Sequence, residues 1–414
     1  MTFMQTQELD IASISNKHCG DAACAGALVA GADYRGLGVV RSLGRHRIPV
    51  WVLNHAGQLV GAVSRYASRT MKWPLEDGNK QLNFLVDLAD RERLNGWLLI
   101  PTDDEDVALF AQHHELLSKH YRVTTPPWGT VRWLCDKRSL NQLAKAVSVD
   151  RPWTFCPRSR DELAQQECPF PVILKPAMRL SFNRLTADKA WRFENRESLL
   201  KGYDDACTLI DPALVMVQEV VPGGGEAQLS FAALCKDGIP VASIVARRTR
   251  QFPMDFGRFS TYVETIEDPH VVDAAQRLLA PTQLTGIVEI EFKKDSRSSK
   301  LKLLDVNPRV WGWHTLSIRA GVDFPYLLWR LFTGQTISEV HGRVGERWMR
   351  LCTDLPVAIE EIVHGRLSLT TYLHALFGRK ESAIFAWDDP LPGMLELPLL
   401  AAMMSRRVLS GKGI

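Results

Sequence analysis

The sequence predicts α/β and α+β architecture in one chain: a parallel α/β domain first, then a region of antiparallel hairpins and helices. Three observations carry this. Gly26-Ala-Leu-Val-Ala-Gly-Ala-Asp-Tyr-Arg-Gly-Leu-Gly38 reads as a short apolar strand, a glycine turn and a helix over Leu37 to Arg45, with the next apolar strand at Ile48 to Leu53. That is a βαβ opening. Ser230 to Cys235 and Ile239 to Val245 flank Lys236-Asp-Gly, a hairpin turn. A second hairpin pairs Gly286-Ile-Val-Glu-Ile-Glu-Phe-Lys-Lys-Asp with Lys300-Leu-Lys-Leu-Leu-Asp-Val-Asn-Pro-Arg309 across a short polar loop.

A chain of 414 residues has room for two to four domains. Its net charge of +3, with no basic run, gives no footing for nucleic acid or an anionic membrane surface. No apolar stretch reaches the roughly 18 residues of a membrane span. Leu395 to Met404 comes nearest and contains Glu396 and Pro398. The first 24 residues are polar, with Glu8 and Asp10, and read as a flexible arm rather than a secretory signal. The eight cysteines stand singly, which fits reduced thiols in a cytoplasmic protein.

Taken in order, the glycines after the first strand do not have the Gly-x-Gly-x-x-Gly spacing, so a tight strand-to-helix turn explains them. Leu82 to Leu94 has helical period, and Trp97 to Ile100 is a strand ending in Pro101-Thr-Asp-Asp-Glu-Asp106. Helix capping explains those acids, with contact to a substrate amine as the alternative. Pro126-Pro127 marks a boundary. Cys135-Asp-Lys137 opens a helix to about Val147. Phe170-Pro-Val-Ile-Leu-Lys175 is a buried strand closed by a lysine, which is costly to bury unless an anion meets it. Trp191-Arg-Phe reads as its return strand. Leu214 to Val221 is a strand leaving through Pro222-Gly-Gly-Gly-Glu226. Four arginines fall between Ala246 and Arg258; Arg250 is a candidate for phosphate or a substrate carboxylate, with a surface cluster as the alternative. His314 reads as a packed or surface histidine rather than a general base. Helical stretches at Pro356 to His364 and Leu369 to Phe377 belong to a C-terminal extension without assigned chemistry.

The second hairpin concentrates the chemistry. Alternation puts Glu289 and Glu291 on one face, and Asp305 and Asn307 on one face of the partner strand. Pairing Asp295 with Leu301 would set Glu291 opposite Asp305 and Glu289 opposite Asn307. Facing carboxylates repel, so a cation is expected among them unless the face is simply solvated. Hard oxygen donors suit Mg²⁺ shared with a phosphate. Arg309 follows, with a fork that fits phosphate.

These motifs, in this order over roughly Gly26 to Thr333, resemble the ATP-grasp superfamily. The resemblance implies the ATP-grasp fold, with an N-terminal parallel α/β (pre-ATP-grasp) domain and a C-terminal extension. It implies that Glu291, Asp305 and Asn307 hold Mg²⁺, with Mn²⁺ as an alternative, and that Arg309 acts near the reacting phosphoryl group. Lys137 and Lys175 would reach the ATP phosphates. Gln218, Glu219 and Val221 would line the base, Glu226 would hold the ribose, and Arg250 would lie near the second substrate. Asp305 departs from the more usual Glu. Ala177 to Thr186 lacks the glycines of the family's phosphate loop, where Arg179 and Arg184 would substitute, and a lid is expected over Ala177 to Lys189. The expected divisions are an arm (1–25), an N-terminal domain (26–126), a small lid region (127–213), a catalytic core (214–335) and the extension (336–414). The nearest branch is the predicted carboxylate–amine ligases, including D-aspartate ligase-like proteins. That branch implies small-molecule carboxylate and amine substrates, an acyl phosphate and release of ADP; a homodimer is a candidate assembly. An ATP-grasp kinase or carboxylase, and a non-catalytic nucleotide-binding regulator, are the alternatives.

Overall fold

The computed structural model describes residues 25–396 and 398, apart from 56–57, 75–77, 179–184, 186–189 and 253–258. The expected arm up to residue 24, Arg179, Arg184, Lys189 and Arg258 fall outside the described residues, as does most of the expected lid segment.

The N-terminal sheet holds β1 (Ala27–Ala30), β2 (Val50–Asn54), β3 (Arg69–Lys72), β4 (Leu98–Pro101) and β5 (Arg122–Val123), all parallel, in the order β3-β2-β1-β4-β5. Strand order reverses between β1 and β4, which opens a crevice beyond their carboxyl ends. The glycines there serve close approach. Gly31 has φ +117°, and a Cβ on it would lie 2.0 Å from Thr102 Oγ1. A Cβ on Gly36 would lie 2.1 Å from the Gly31 carbonyl oxygen. Asp33 caps the helix Tyr34–Arg45, accepting from the Arg35 and Gly36 amides.

The small sheet holds β6 (Thr154–Phe155), β7 (Val172–Pro176), β8 (Trp191–Phe193) and β9 (Val215–Glu219), antiparallel, in the order β6-β9-β7-β8. β8 is the return strand the sequence suggests. β9 belongs to this sheet, so the division at 213/214 separates it from its hydrogen-bonded neighbours. Val172, Leu174, Val215 and Val217 face a core of their own with Leu163, Leu199 and Ala206. Conversely, the helices Trp128–Cys135 and Lys137–Ala146 share a core with the large sheet through Leu134, Leu140, Phe231, Ile290 and Phe292.

The large sheet holds β10 (Gln228–Lys236), β11 (Ile239–Phe252), β12 (Phe259–Ile266), β13 (Gly286–Lys294), β14 (Leu301–Asn307), β15 (Val340–His341), β16 (Arg347–Met349) and β17 (Glu381–Ser382). Its order is β14-β13-β10-β11-β12-β16-β17, with β15 beside β11. The C-terminal extension therefore supplies three strands of this sheet. The N-terminal domain is joined to it by a common core, in which Leu37, Val40 and Leu43 meet Trp311, Trp313, Leu316 and Phe324. Each such buried side chain contributes about 1.5–3 kcal/mol. The approach is close enough that a Cβ on Gly38 would lie 2.4 Å from His314 Nε2. Among the described residues, no helix is long and apolar enough to cross a membrane.

Candidate active site

Two adjoining clefts lie where the three sheets meet. The first, ≈ 680 Å³ counting space open to solvent, is a slot between the small and large sheets. Ile173, Gln218, Glu219, Val221 and Leu304 line it. The second, ≈ 1370 Å³, runs from the large sheet to the N-terminal crevice and takes in Asp33, Tyr34, Arg35 and Asp104. Lys175, Glu291 and Asp305 line both, so the two are continuous.

Alternation explains these placements. On β7, Val172 and Leu174 enter the small core, which turns Ile173 and Lys175 to the cleft. On β13, Val288, Ile290 and Phe292 enter the large core, which turns Glu289 and Glu291 outward. On β14 the alternation breaks once. Glu291 pairs with Asp305 and Glu289 with Asn307, but Phe292 pairs with Leu303 and Lys294 with Leu301. One residue, Leu304, is bulged out. The bulge lets Leu303 and Val306 both enter the core and turns Leu304 into the slot.

The acidic cluster is tightly partnered. Lys137 Nζ lies 3.0 Å from Asp305 Oδ1. Burial opposes the Lys137 charge, but Asp305, with Asp104, outweighs it and raises the ammonium's pKa. Arg248 donates through Nη2 to Glu289 Oε1 and lies 2.7 Å from Glu291 Oε1 by the same nitrogen. Its Nη1 donates to Glu291 Oε2 at 3.1 Å. Asn307 Nδ2 donates to Glu289 Oε2 at 3.1 Å and Glu291 Oε1 at 3.0 Å. Trp313 Nε1 donates to Glu289 Oε1 at 2.8 Å. Burial raises the Glu289 carboxyl pKa, and Arg248 only partly opposes it. Arg309 donates to Asp104 at 2.5 Å and to Asn307 Oδ1 at 3.2 Å.

The site therefore gathers Lys137, Lys175, Glu291, Asp305, Asn307 and Arg309 in the second cleft, and Lys175, Gln218, Glu219 and Val221 in the first. Glu219 has structural ties besides. Its carboxylate accepts from the Trp153 amide at 2.9 Å, from Arg297 at 2.9 Å and from Lys302. Glu226 is exposed and lines neither cleft.

Arg250 needs correcting as a cleft residue. It forms a bidentate pair with Asp354 at 2.9 Å, buried under the Tyr262 ring, and lines neither cleft. Among the described arginines of that run, Arg248 faces the site, and the sequence reading passed it over. Its only signal was membership of the arginine-rich run. Trp313, Leu304 and Gln228 were missed as well. Asp104 was noted among the capping acids, but the cap is Asp103, which accepts from the Asp106 amide at 2.9 Å. His314 is packed: its Nδ1 lies 2.9 Å from the Trp311 carbonyl oxygen, and burial pushes its pKa down to about 4.

The donor set fits a hard divalent cation at Asp305. Among the described residues, its carboxylate meets Lys137 and the Val306 amide, both on Oδ1. Asn307 Oδ1 shares that face of β14, two residues on.

A family model described as "ATP-grasp in the biosynthetic pathway with Ter operon" matches residues 215–349. Among solved structures, the chain is similar to the biotin carboxylase–β,γ-ATP complex from Campylobacter jejuni, with a TM-score of 0.62, 13% identity, and coverage of 79% of this chain and 75% of that one. It is similar to the biotin carboxylase domain dimer of Hydrogenobacter thermophilus 2-oxoglutarate carboxylase, solved with MgADP and bicarbonate, with a TM-score of 0.61, 15% identity, and 77% and 73% coverage. It is also similar to L-amino acid ligase from Bacillus licheniformis, with a TM-score of 0.57, 13% identity, and 74% of each chain covered. At these identities the likeness is one of fold, and it covers 74–79% of the chain, more than the segment the family model matches. The family model falls on the strands that carry the acidic hairpin, so residues 215–349 match an ATP-grasp family, and the chain shares the fold of the carboxylases and ligase above.

Proposed function

We propose that the protein is an ATP-dependent carboxylate–amine ligase that works through an acyl phosphate and releases ADP and phosphate. One observation carries the reading. Lys137, Lys175, Asp305 and Arg309 converge where an apolar slot suited to a base opens into a larger polar cleft. The slot would take adenine against Ile173, Val221 and Leu304, beside the backbone of Gln218 to Val221. Lys175 and Lys137 would meet the phosphates. Arg309 would stabilise charge on the transferred phosphoryl group. Asp305 and Asn307 would hold Mg²⁺, which when bound screens phosphate charge and orients it.

In the reaction a substrate carboxylate oxygen attacks the γ-phosphorus and the bond to ADP breaks. The amine nitrogen then attacks the acyl carbon, phosphate leaves, and the nitrogen loses its proton. The cleft toward Asp33, Arg35 and Asp104 offers both charge signs to such substrates. The L-amino acid ligase among the similar structures supports the reading. The test is ADP release from ATP over a panel of carboxylic acids and amines. Release that requires one of each supports the ligase. ATP binding with no ADP from any pair would overturn it in favour of a regulator.

A further inference from the structure

The carboxylate pair Glu289 and Glu291 already has its cation, and that cation is part of the chain. An ionised carboxylate offers about four lone-pair sites. Glu291 has donors for all of them: Arg248 Nη2 at 2.7 Å and Asn307 Nδ2 at 3.0 Å on Oε1, with Arg248 Nη1 at 3.1 Å and Gln228 Nε2 at 3.2 Å on Oε2. Glu289 takes Arg248 and Trp313 on Oε1 and Asn307 on Oε2. Arg248, Glu289 and Glu291 are only 4%, 2% and 7% exposed. A buried acid pair held this way differs from a pair of ligands awaiting a metal. A metal ion on Glu291 would have to displace charge-assisted donors and leave a buried guanidinium short of partners, which is strongly unfavourable.

The other half of the cluster has a different character. Among the described residues, Asp305 is held on one oxygen, Oδ1, by Lys137 and the Val306 amide. Asn307 turns its nitrogen to both glutamates and its oxygen outward to Arg309 at 3.2 Å. One hard cation with two protein oxygens, phosphate oxygens and water is an ordinary shell for Mg²⁺.

We infer that Arg248 stands in the place of a second metal ion, so that the site binds one divalent cation per nucleotide, at Asp305 and Asn307, with Glu291 serving to anchor Arg248 rather than to ligate metal. This rests on the nucleotide-site reading above, and it removes Glu291 from the metal set that the family resemblance implies. The structure also explains why the chain carries an acid at position 289. Glu289 fixes Arg248 from the second side, with Trp313 and Asn307 holding Glu289 in turn.

The experiment is a Mn²⁺ titration of the whole protein at saturating non-hydrolysable ATP analogue, counting bound ions by electron paramagnetic resonance and nucleotide by calorimetry. One Mn²⁺ per bound nucleotide is expected. Asp305→Asn should weaken that ion by about 10-fold or more, whereas Glu291→Gln should leave the count at one and change the affinity far less. Two ions per nucleotide in the unmodified protein would overturn the inference while leaving the ligase reading intact. Loss of the ion in Glu291→Gln equal to that in Asp305→Asn would overturn it as well. Failure to bind the analogue or Mn²⁺ at all would overturn both.

Discussion

Arg309 Nε lies 2.5 Å from Asp104 Oδ1, joining the end of the acidic hairpin to the helix that begins at the mouth of the N-terminal crevice. The N-terminal domain thus does more than pack against the large sheet; it aims a guanidinium at the cleft. Burial opposes the Arg309 charge, yet Asp104 and the other acids around it raise its pKa overall. Asp104→Ala is expected to lower turnover by up to about 100-fold, since small misplacements near the reacting group are costly. Nucleotide affinity should change much less. Parallel kinetics of ADP release and calorimetry of nucleotide binding separate the two. An equal loss in both would mean that Asp104 serves binding generally.

Arg250 and Asp354 form a buried pair, with Thr261 Oγ1 also donating to Asp354 Oδ1 at 2.8 Å. Removing one partner leaves the other charge buried, so Asp354→Ala should cost about 3–5 kcal/mol in urea unfolding. Replacing both with apolar residues, Arg250→Met with Asp354→Leu, should recover much of that loss. A single Arg250→Met variant of normal stability but raised substrate KM would return Arg250 to the substrate site.

Lys175 ends a strand whose alternate residues Val172 and Leu174 are buried in the small core, and it faces both clefts. Lys175→Ala should weaken ATP by about 1.5–3 kcal/mol, the loss of a charged hydrogen bond. That is roughly ten- to a hundredfold in Kd. An unchanged Kd in equilibrium binding would take Lys175 out of the phosphate site.

Asp106 should supply a pH dependence of folding stability. Its Oδ2 lies 3.3 Å from His55 Nε2, with Asp103 on the other side of the ring. Burial, then Asp103, pushes the Asp106 carboxyl from 3.8 up to about 7. Burial opposes the His55 charge, but Asp106 and Asp103 raise its pKa on balance. Both folded values lie above the unfolded ones, so the folded chain binds more protons. This contribution is fully present below about pH 4 and is lost as pH rises through about 7. Asp106→Asn should flatten that slope and stabilise the protein at pH 8 relative to the parent. Urea midpoints at pH 5 and pH 8 decide it; an undiminished slope would contradict the assignment.

How far the sequence could be read follows from where local alternation holds. The cross-strand pairs Glu291 with Asp305 and Glu289 with Asn307 follow from period two and a short loop, and they occur. The loop end does not follow: Lys294, not Asp295, pairs with Leu301, because the bulge at Leu304 absorbs one residue. The same kind of irregularity hid Arg248. β11 and β12 shift register between Arg247 and Arg250 and again beside Gln251, so spacing alone could not say which arginine faced the acids. The partner of Arg250 lies 104 residues away in sequence. The strands of the C-terminal extension are two or three residues long, too short to carry a period. Lys137 and Lys175 were legible because each sits at an element end where a charge has to be accounted for.

The most direct test of the account is hydroxylamine trapping. Protein, Mg²⁺, ATP and a carboxylic acid substrate, with hydroxylamine in place of the amine, should yield an acyl hydroxamate in amounts matching ADP. ADP released alongside a stable phosphorylated product and no hydroxamate would contradict an acyl phosphate and make the protein a kinase.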